Sequence, residues 1–295
     1  MSRLLIVVSA LIVVVAAVAA WFPLAVINGL TPTNTYKANA NISYGYDPRL
    51  KLDVYQPNPS RNAHPPPGGY PVVLFFYGGS WTDGERADYR FVGEALAARG
   101  ILTMVADYRL YPQVRYPDFL ADCAGAVAWA KLEAPHYGGN TNRLYVMGHS
   151  AGAYNAAMLA LDKRWLVAAG LAPSALAGWI GLAGPYDFLP IENLKARPVF
   201  NHPDYPPGTQ PIDYAPKAAP RTFLGAAVDD DVVNPERNTR QLAQKLGAAG
   251  VPVTLKTYAR TNHITLIGAF ARPLRWLAPV LEDVVAFVQA EPATQ

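Results

Sequence analysis

Apolar and polar positions follow two rhythms along this chain. Apolar runs closed by glycine or a polar residue stand at "VVLFFYGG" (72–79), "ILTMVADY" (101–108), "RLYVMG" (143–148), "AGWIGLAG" (177–184), "RTFLGAAV" (221–228) and "VTLKTY" (253–258). Each reads as a strand, and the first, apolar at successive positions, as one buried on both faces. Between them lie stretches with helical spacing: 88–100, which ends in a glycine stop, then 116–134, 151–162, 236–250 and 279–290. Strand and helix in alternation predict an α/β fold, a mainly parallel sheet with helices on both faces. Ahead of it, "NISYG" and "KLDVYQP" predict a hairpin around the turn-former "YDPR", preceded by a polar linker over 31–40. "NPSRNAHPPPGGYP" reads as a surface loop. Residues 185–220, rich in Pro, Tyr and Asp, break the rhythm. An irregular insertion of that length in a compact domain is either a lid over a site or a passive excursion. Its aromatics, Tyr186 among them, suggest an apolar wall.

The beginning of the chain differs in kind. Residues 4–27, "LLIVVSALIVVVAAVAAWFPLAVI", contain no charge, and about 20 apolar residues suffice to span a bilayer. A membrane anchor over 1–30, followed by one domain over 31–295, is the expected organisation. A cleaved secretory signal ending at Ala17-Val18-Ala19 is the competing reading, but the apolar run continues past that point through Trp21, Phe22 and Leu24. Either way the domain is expected on the far side of the membrane, periplasmic or extracellular. Arg3 ahead of the run points the same way.

Composition narrows the picture further. The 295 residues are 51% hydrophobic with net charge +3, enough to build a sizeable core. No basic block or zinc-type Cys/His spacing is present, so neither nucleic acid nor a metal is expected. The single cysteine, Cys123, excludes an intrachain disulfide. It lies on the apolar face of a predicted helix and reads as a core residue.

The candidate chemistry begins at "GHSAG" (148–152), which follows a predicted strand and precedes a predicted helix. Gly-x-Ser-x-Gly in that setting makes a turn sharp enough to lift the serine hydroxyl from the sheet's carboxyl edge. Ser150 is therefore the candidate nucleophile, and it needs a base to take its proton. His64 and His136 read as solvated, His149 as a packing residue inside the turn, and His202 belongs to the irregular insertion. His263, in "TNHITL" after the last predicted strand, opens on the same sheet edge as Ser150 and is the expected base. An orienting carboxylate is available from Asp229, Asp230 or Asp231 in "VDDDVVNP". Gly78 and Gly79, with the N–H of Ala151, are placed to form an oxyanion hole.

These segments, in this order, resemble the α/β-hydrolase superfamily. More narrowly, the chain is similar to the esterase/lipase branch with a His-Gly-Gly-x-Trp oxyanion motif, which includes carboxylesterases, bacterial feruloyl and acetyl esterases and kynurenine-formamidase-like proteins. The resemblance covers about 28–290 and rests on "YGGSWTDG", "DYRLYP", "GHSAGAYNA", "GLAGPYDF", "DDDVVNPERNT" and "TNHITL". It implies an α/β-hydrolase fold and a Ser150, Asp230, His263 triad; Asp230 is selected by its spacing to Val233 and Pro235, and a one-residue shift would give Asp229. It further implies an oxyanion loop at Gly78, Gly79 and Trp81, an ester substrate, and no cofactor. Amide hydrolysis and a catalytically inactive binding domain are the alternatives. One departure from the family is plain: Tyr77 stands where the family usually has histidine. Tyr77, Trp81 and Tyr186 are the expected substrate contacts.

Overall fold

The computed structural model describes residues 23–61 and 64–290. A short helix, α1 (Pro23–Gly29), leads into β1 (Tyr36–Ser43) and β2 (Lys51–Pro57). There follow β3 (Tyr70–Phe76), α2 (Arg90–Ala97), β4 (Leu102–Ala106), α3 (Asp118–Glu133) and β5 (Gly139–His149). Next come α4 (Ala151–Leu161), α5 (Lys163–Ala168), β6 (Gly178–Leu182) and β7 (Arg221–Ala227). The order closes with α6 (Gln241–Ala248), β8 (Val253–Tyr258), α7 (His263–Gly268) and α8 (Val280–Gln289). The strands form one sheet in the order β1-β2-β4-β3-β5-β6-β7-β8. β1 and β2, and β2 and β4, pair antiparallel, while the pairs from β4 across to β8 are parallel. This is the α/β-hydrolase fold. Helices flank the sheet in two groups, α2 with α8 and α3 with α4 and α5.

The centre of the core is β3 and β5. Every residue of β3 is buried, which is why its sequence shows no alternation. α4 is likewise buried at all of its residues, so its apolar pattern runs all round and not along one stripe.

Two expectations change. Residues 36–40 belong to β1 and not to a linker. Only Tyr36 of that strand is buried, and the rest of its length is exposed or half-exposed. A polar edge strand of this kind carries no hydrophobic signal, and its pairing with β2 supplies the order. The apolar run 4–27 lies for the most part outside the described residues. Its last residues enter α1, and among the described residues no helix is long and apolar enough to cross a membrane.

The insertion of 185–220 contains two short turns of 3-10 helix, Arg197–Phe200 and Pro211–Asp213. It is fastened to the helical layer below. The Tyr154 hydroxyl of α4 donates to Thr209 O (2.8 Å), and Tyr116 N donates to Val199 O (2.9 Å). Phe200 sits 4.8 Å from Trp81 and 5.6 Å from Tyr154, ring centre to ring centre.

Candidate active site

Because β3 and β5 to β8 run parallel, the loops that follow them open on one edge of the sheet. That edge collects Tyr77–Trp81 after β3, Ser150 after β5, Asp230 after β7 and His263 after β8.

Ser150 occupies the turn between β5 and α4 with φ 54° and ψ −122°. This backbone conformation is costly for a residue with a Cβ and persists only where neighbours enforce it. The enforcing contacts are backbone approaches. A Cβ on Gly148 would lie 2.1 Å from Gly152 O, and one on Gly152 would lie 2.0 Å from Phe76 O. Hence both flanking positions require glycine. Ser150 N donates to Leu182 O (2.9 Å), tying the turn to β6.

The hydroxyl is 2.9 Å from His263 Nε2. His263 Nδ1 is 2.9 Å from Asp230 Oδ2 and 3.1 Å from Oδ1. The tautomer that satisfies both contacts has Nδ1–H donating to the carboxylate and Nε2 accepting from the hydroxyl. His263 opens α7, and its backbone is fixed by Asn262. The Asn262 side chain accepts from Ile264 N and Thr265 N, and Thr265 Oγ1 accepts from Asn262 N in return.

Asp230 Oδ1 accepts from Val232 N and Val233 N, both 2.9 Å, and the side chain is fully shielded from solvent. Burial alone would raise its pKa. The hydrogen bond and charge of His263, together with the two backbone N–H groups, outweigh burial and hold the carboxyl below its ordinary value. Asp230 is therefore an acceptor at neutral pH. Asp229 and Asp231, its neighbours of identical chemistry, are exposed.

His149, expected to pack, does more. Its Nε2–H donates to the backbone carbonyl of His263 (2.8 Å), so the residue beside Ser150 grips the loop that carries His263. Burial, then the nearby His263 ring, push its pKa down to about 3. The sign of the stability effect follows. Between about 6.5 and 3, the unfolded chain takes up a proton at this ring that the folded chain refuses. Stability is thus lost as pH falls through that window, by up to about 1.4 kcal/mol per pH unit from this group. His149→Gln should flatten the dependence of the melting temperature on pH between 6.5 and 5, and an unchanged slope would refute the assignment. The other histidines, His64, His136 and His202, are exposed.

The oxyanion loop lies directly beside the serine. A Cβ on Gly78 would be 2.9 Å from Ser150 Cβ. Gly79, Ser80 and Trp81 have φ of 123°, 53° and 58°, and Thr82 N and Asp83 N close the loop onto Gly79 O. Among the described residues, the N–H groups of Gly78, Gly79 and Ala151 have no hydrogen-bond acceptor. That of Ala151 also belongs to the amino end of α4, where the helix dipole favours negative charge.

A pocket of about 260 Å³ adjoins Ser150. Ser80, Trp81 and Ala151 line one side, Asp187, Phe188, Ile191 and Asn193 of the insertion a second, and Val232, Val233 and Arg237 a third. Trp81 is among the lining residues, and its Nε1 donates to Asn155 Oδ1 (3.0 Å). The expectation for Tyr77 and Tyr186 is corrected. Neither lines the pocket; both are fully buried. Tyr186 packs against Trp179, ring centres 6.0 Å apart, and the Tyr77 hydroxyl is engaged with Asp107 and Arg49. Aromatic character at these positions serves the core and gives no clue to direction.

Two residues of the segment 229–239 to which the sequence assigns no role line the pocket. Asn238 Oδ1 accepts from Tyr186 N (2.6 Å) and Asp187 N (2.8 Å), holding the start of the insertion. Arg237 pairs with Asp187 (3.0 Å) and donates to Leu189 O. Both side chains come from a π-helical turn, Glu236–Arg240, ahead of α6. Among the described residues no group of three or more His, Cys, Asp or Glu could hold a metal ion.

The BD-FAE family profile matches residues 52–246. The chain is 29% identical over 277 residues to a probable isoprenylcysteine alpha-carbonyl methylesterase of Oryza sativa subsp. japonica, covering 86% of this chain and 64% of that protein. It is 29% identical over 231 residues to the esterase LipC of Mycobacterium tuberculosis, covering 72% and 56%. The chain thus spans less than two thirds of the length of these relatives. Among solved structures, a truncated carbohydrate esterase from gut microbiota superposes with a TM-score of 0.72 at 18% identity, covering 88% of this chain and 98% of that one. At that identity the likeness concerns the fold alone.

Proposed function

The chain belongs to the BD-FAE family of α/β-hydrolases, and from that premise we propose that it is a serine hydrolase of carboxylic esters. One observation carries this reading, the continuous hydrogen-bonded line Ser150–His263–Asp230, with links of 2.9 Å on both sides of the imidazole. Ser150 Oγ attacks the ester carbonyl while His263 Nε2 takes its proton. Asp230 holds the imidazole tautomer and stabilises the cation that forms. The N–H groups of Gly78, Gly79 and Ala151 receive the oxyanion of the tetrahedral intermediate. His263 then returns the proton to the leaving alcohol, and water, activated by the same imidazole, cleaves the acyl-enzyme.

The pocket beside Ser150 is small, and its lining mixes the apolar Trp81, Phe188 and Ile191 with the polar Asp187, Asn193 and Arg237. Short acyl groups fit this reading, with residues 185–220 acting as the lid. A fluorophosphonate probe should label the full chain, and peptide mass spectrometry should place the adduct on Ser150. An adduct elsewhere, or none, overturns the proposal. Amide hydrolysis would use the same residues; turnover of short acyl esters against N-formylkynurenine separates the two.

Residues 4–27 are assigned, on their length and lack of charge, as a membrane anchor that leaves the domain outside the cytoplasm. The full chain should then resist carbonate extraction from membranes, and a chain beginning at Asn28 should not. Extraction of both alike would remove the anchor from the account.

A further inference from the structure

The oxyanion loop holds three successive residues at positive φ, two of them, Ser80 and Trp81, with side chains. Such backbone is retained only where the surroundings leave it no alternative. One part of the loop is fixed by Trp81, whose Nε1 reaches Asn155 and whose carbonyl accepts from Tyr111 N (2.9 Å). The two stems, Tyr77 and Gly84, are fixed by a different device. Arg49, from the turn between β1 and β2, donates through Nη2 to the Tyr77 hydroxyl (3.0 Å) and to Gly84 O (2.6 Å). Its Nε donates to Tyr108 O (2.8 Å), and the Tyr108 hydroxyl donates to Tyr77 O (2.8 Å).

The Tyr77 hydroxyl in turn donates to Asp107 Oδ1 (2.8 Å), a buried carboxylate that also receives Arg86 N (2.7 Å) and the Arg86 guanidinium. The phenol oxygen therefore accepts from one charged side chain and donates to another. Its ring is stacked between Tyr89 (5.5 Å) and Tyr108 (5.0 Å). Gly84, at φ 103°, rests on that ring; a Cβ there would be 2.8 Å from Tyr77 Cδ2. The ring is the surface on which the loop closes, and the hydroxyl joins both stems to the end of β4.

We propose that Tyr77 is a positioning residue for the oxyanion hole. Its hydroxyl, bridging Arg49 and Asp107, sets the spacing of the loop stems and thereby the placement of the Gly78 and Gly79 N–H groups over Ser150. The inference rests on the ester-hydrolase reading and deepens it. The phenol acts where the family usually places an imidazole, and it reaches two charged partners at once because the hydroxyl is both donor and acceptor. Oxyanion donors act only on charge that develops in the transition state, so misplacing them lowers kcat and spares substrate binding.

The test uses the full chain and p-nitrophenyl butyrate. Wild-type turnover comes first; its absence would overturn the underlying reading and this inference with it. In Tyr77→Phe, kcat should fall about 10- to 100-fold with KM within about twofold, on the scale of a displaced oxyanion donor. Affinity for a trifluoromethyl ketone, which forms a tetrahedral oxyanion adduct on the serine, should fall by the same factor. Arg49→Lys removes the planar fork and keeps the charge. It should reproduce the kcat defect, and it replaces Tyr77→Phe as the decisive variant if circular dichroism shows the latter unfolded. The double variant should be no slower than the product of the singles and close to the worse of them, since both substitutions break one device. A kcat within threefold of wild type in the folded variants, a rise in KM at constant kcat, or full multiplicativity overturns the proposal.

Discussion

Ser150→Ala is expected to lower turnover of a short acyl ester by about 10⁴- to 10⁶-fold, the range seen when a triad nucleophile is removed. The loss should fall on kcat. Alanine keeps the Cβ that packs 2.9 Å from the position a Gly78 Cβ would occupy, and Ser150 N–H continues to bond Leu182 O. The Oγ has one protein partner among the described contacts, His263 Nε2. Its removal therefore leaves the turn intact and the imidazole with only water to activate. The melting temperature should stay close to wild type, and fluorophosphonate labelling should vanish. Residual turnover within about 100-fold of wild type, from protein free of contaminating esterase, would mean that the chemistry lies elsewhere.

Asp230→Asn should cost about 10³- to 10⁴-fold in kcat, while Asp229→Asn should stay within about twofold. The amide oxygen can still accept from Val232 N and Val233 N, where Asp230 Oδ1 now does so. The amide NH₂ then faces His263 Nδ1, which must become the acceptor. The ring proton moves to Nε2 and points at Ser150 Oγ, so the base is blocked in its ground state. The buried carboxylate is also lost as a stabiliser of the imidazolium. Equal effects at 229 and 230 would refute the assignment, and a large effect at 229 alone would shift the acid by one residue.

The choice among three aspartates shows where the sequence stops being legible. Asp229, Asp230 and Asp231 carry identical chemistry at adjacent positions. Only the path of the chain after β7 separates them: it turns so that Val232 and Val233 fold their N–H groups back onto one carboxylate and leaves the other two exposed. Resemblance to a family selected Asp230; composition and periodicity did not. The central strands were readable because burial on both faces forces continuous apolar runs, as in Tyr70–Phe76. The opposite holds for β1, a polar edge strand whose order comes from its partner. Ser150 was legible because Gly148 and Gly152 have no substitute at backbone approaches of about 2 Å. Tyr77 and Tyr186 were misdirected because residue type does not report which side of the backbone a ring occupies. The grip of His149 on the His263 carbonyl and that of Asn238 on the insertion join residues 114 and 52 apart, beyond the reach of any local pattern.

The spread of the reacting groups along the chain has a consequence for biosynthesis. The residues of the nucleophilic turn are all present once Gly152 has been made, but the imidazole arrives only at His263, after β6, β7 and β8 have added three further strands to the parallel sheet. A ribosome-bound intermediate that has passed the first point and not the second holds a serine with no proton acceptor beside it. On the proposed reading, the three reacting groups can meet only in a chain that has extended through His263.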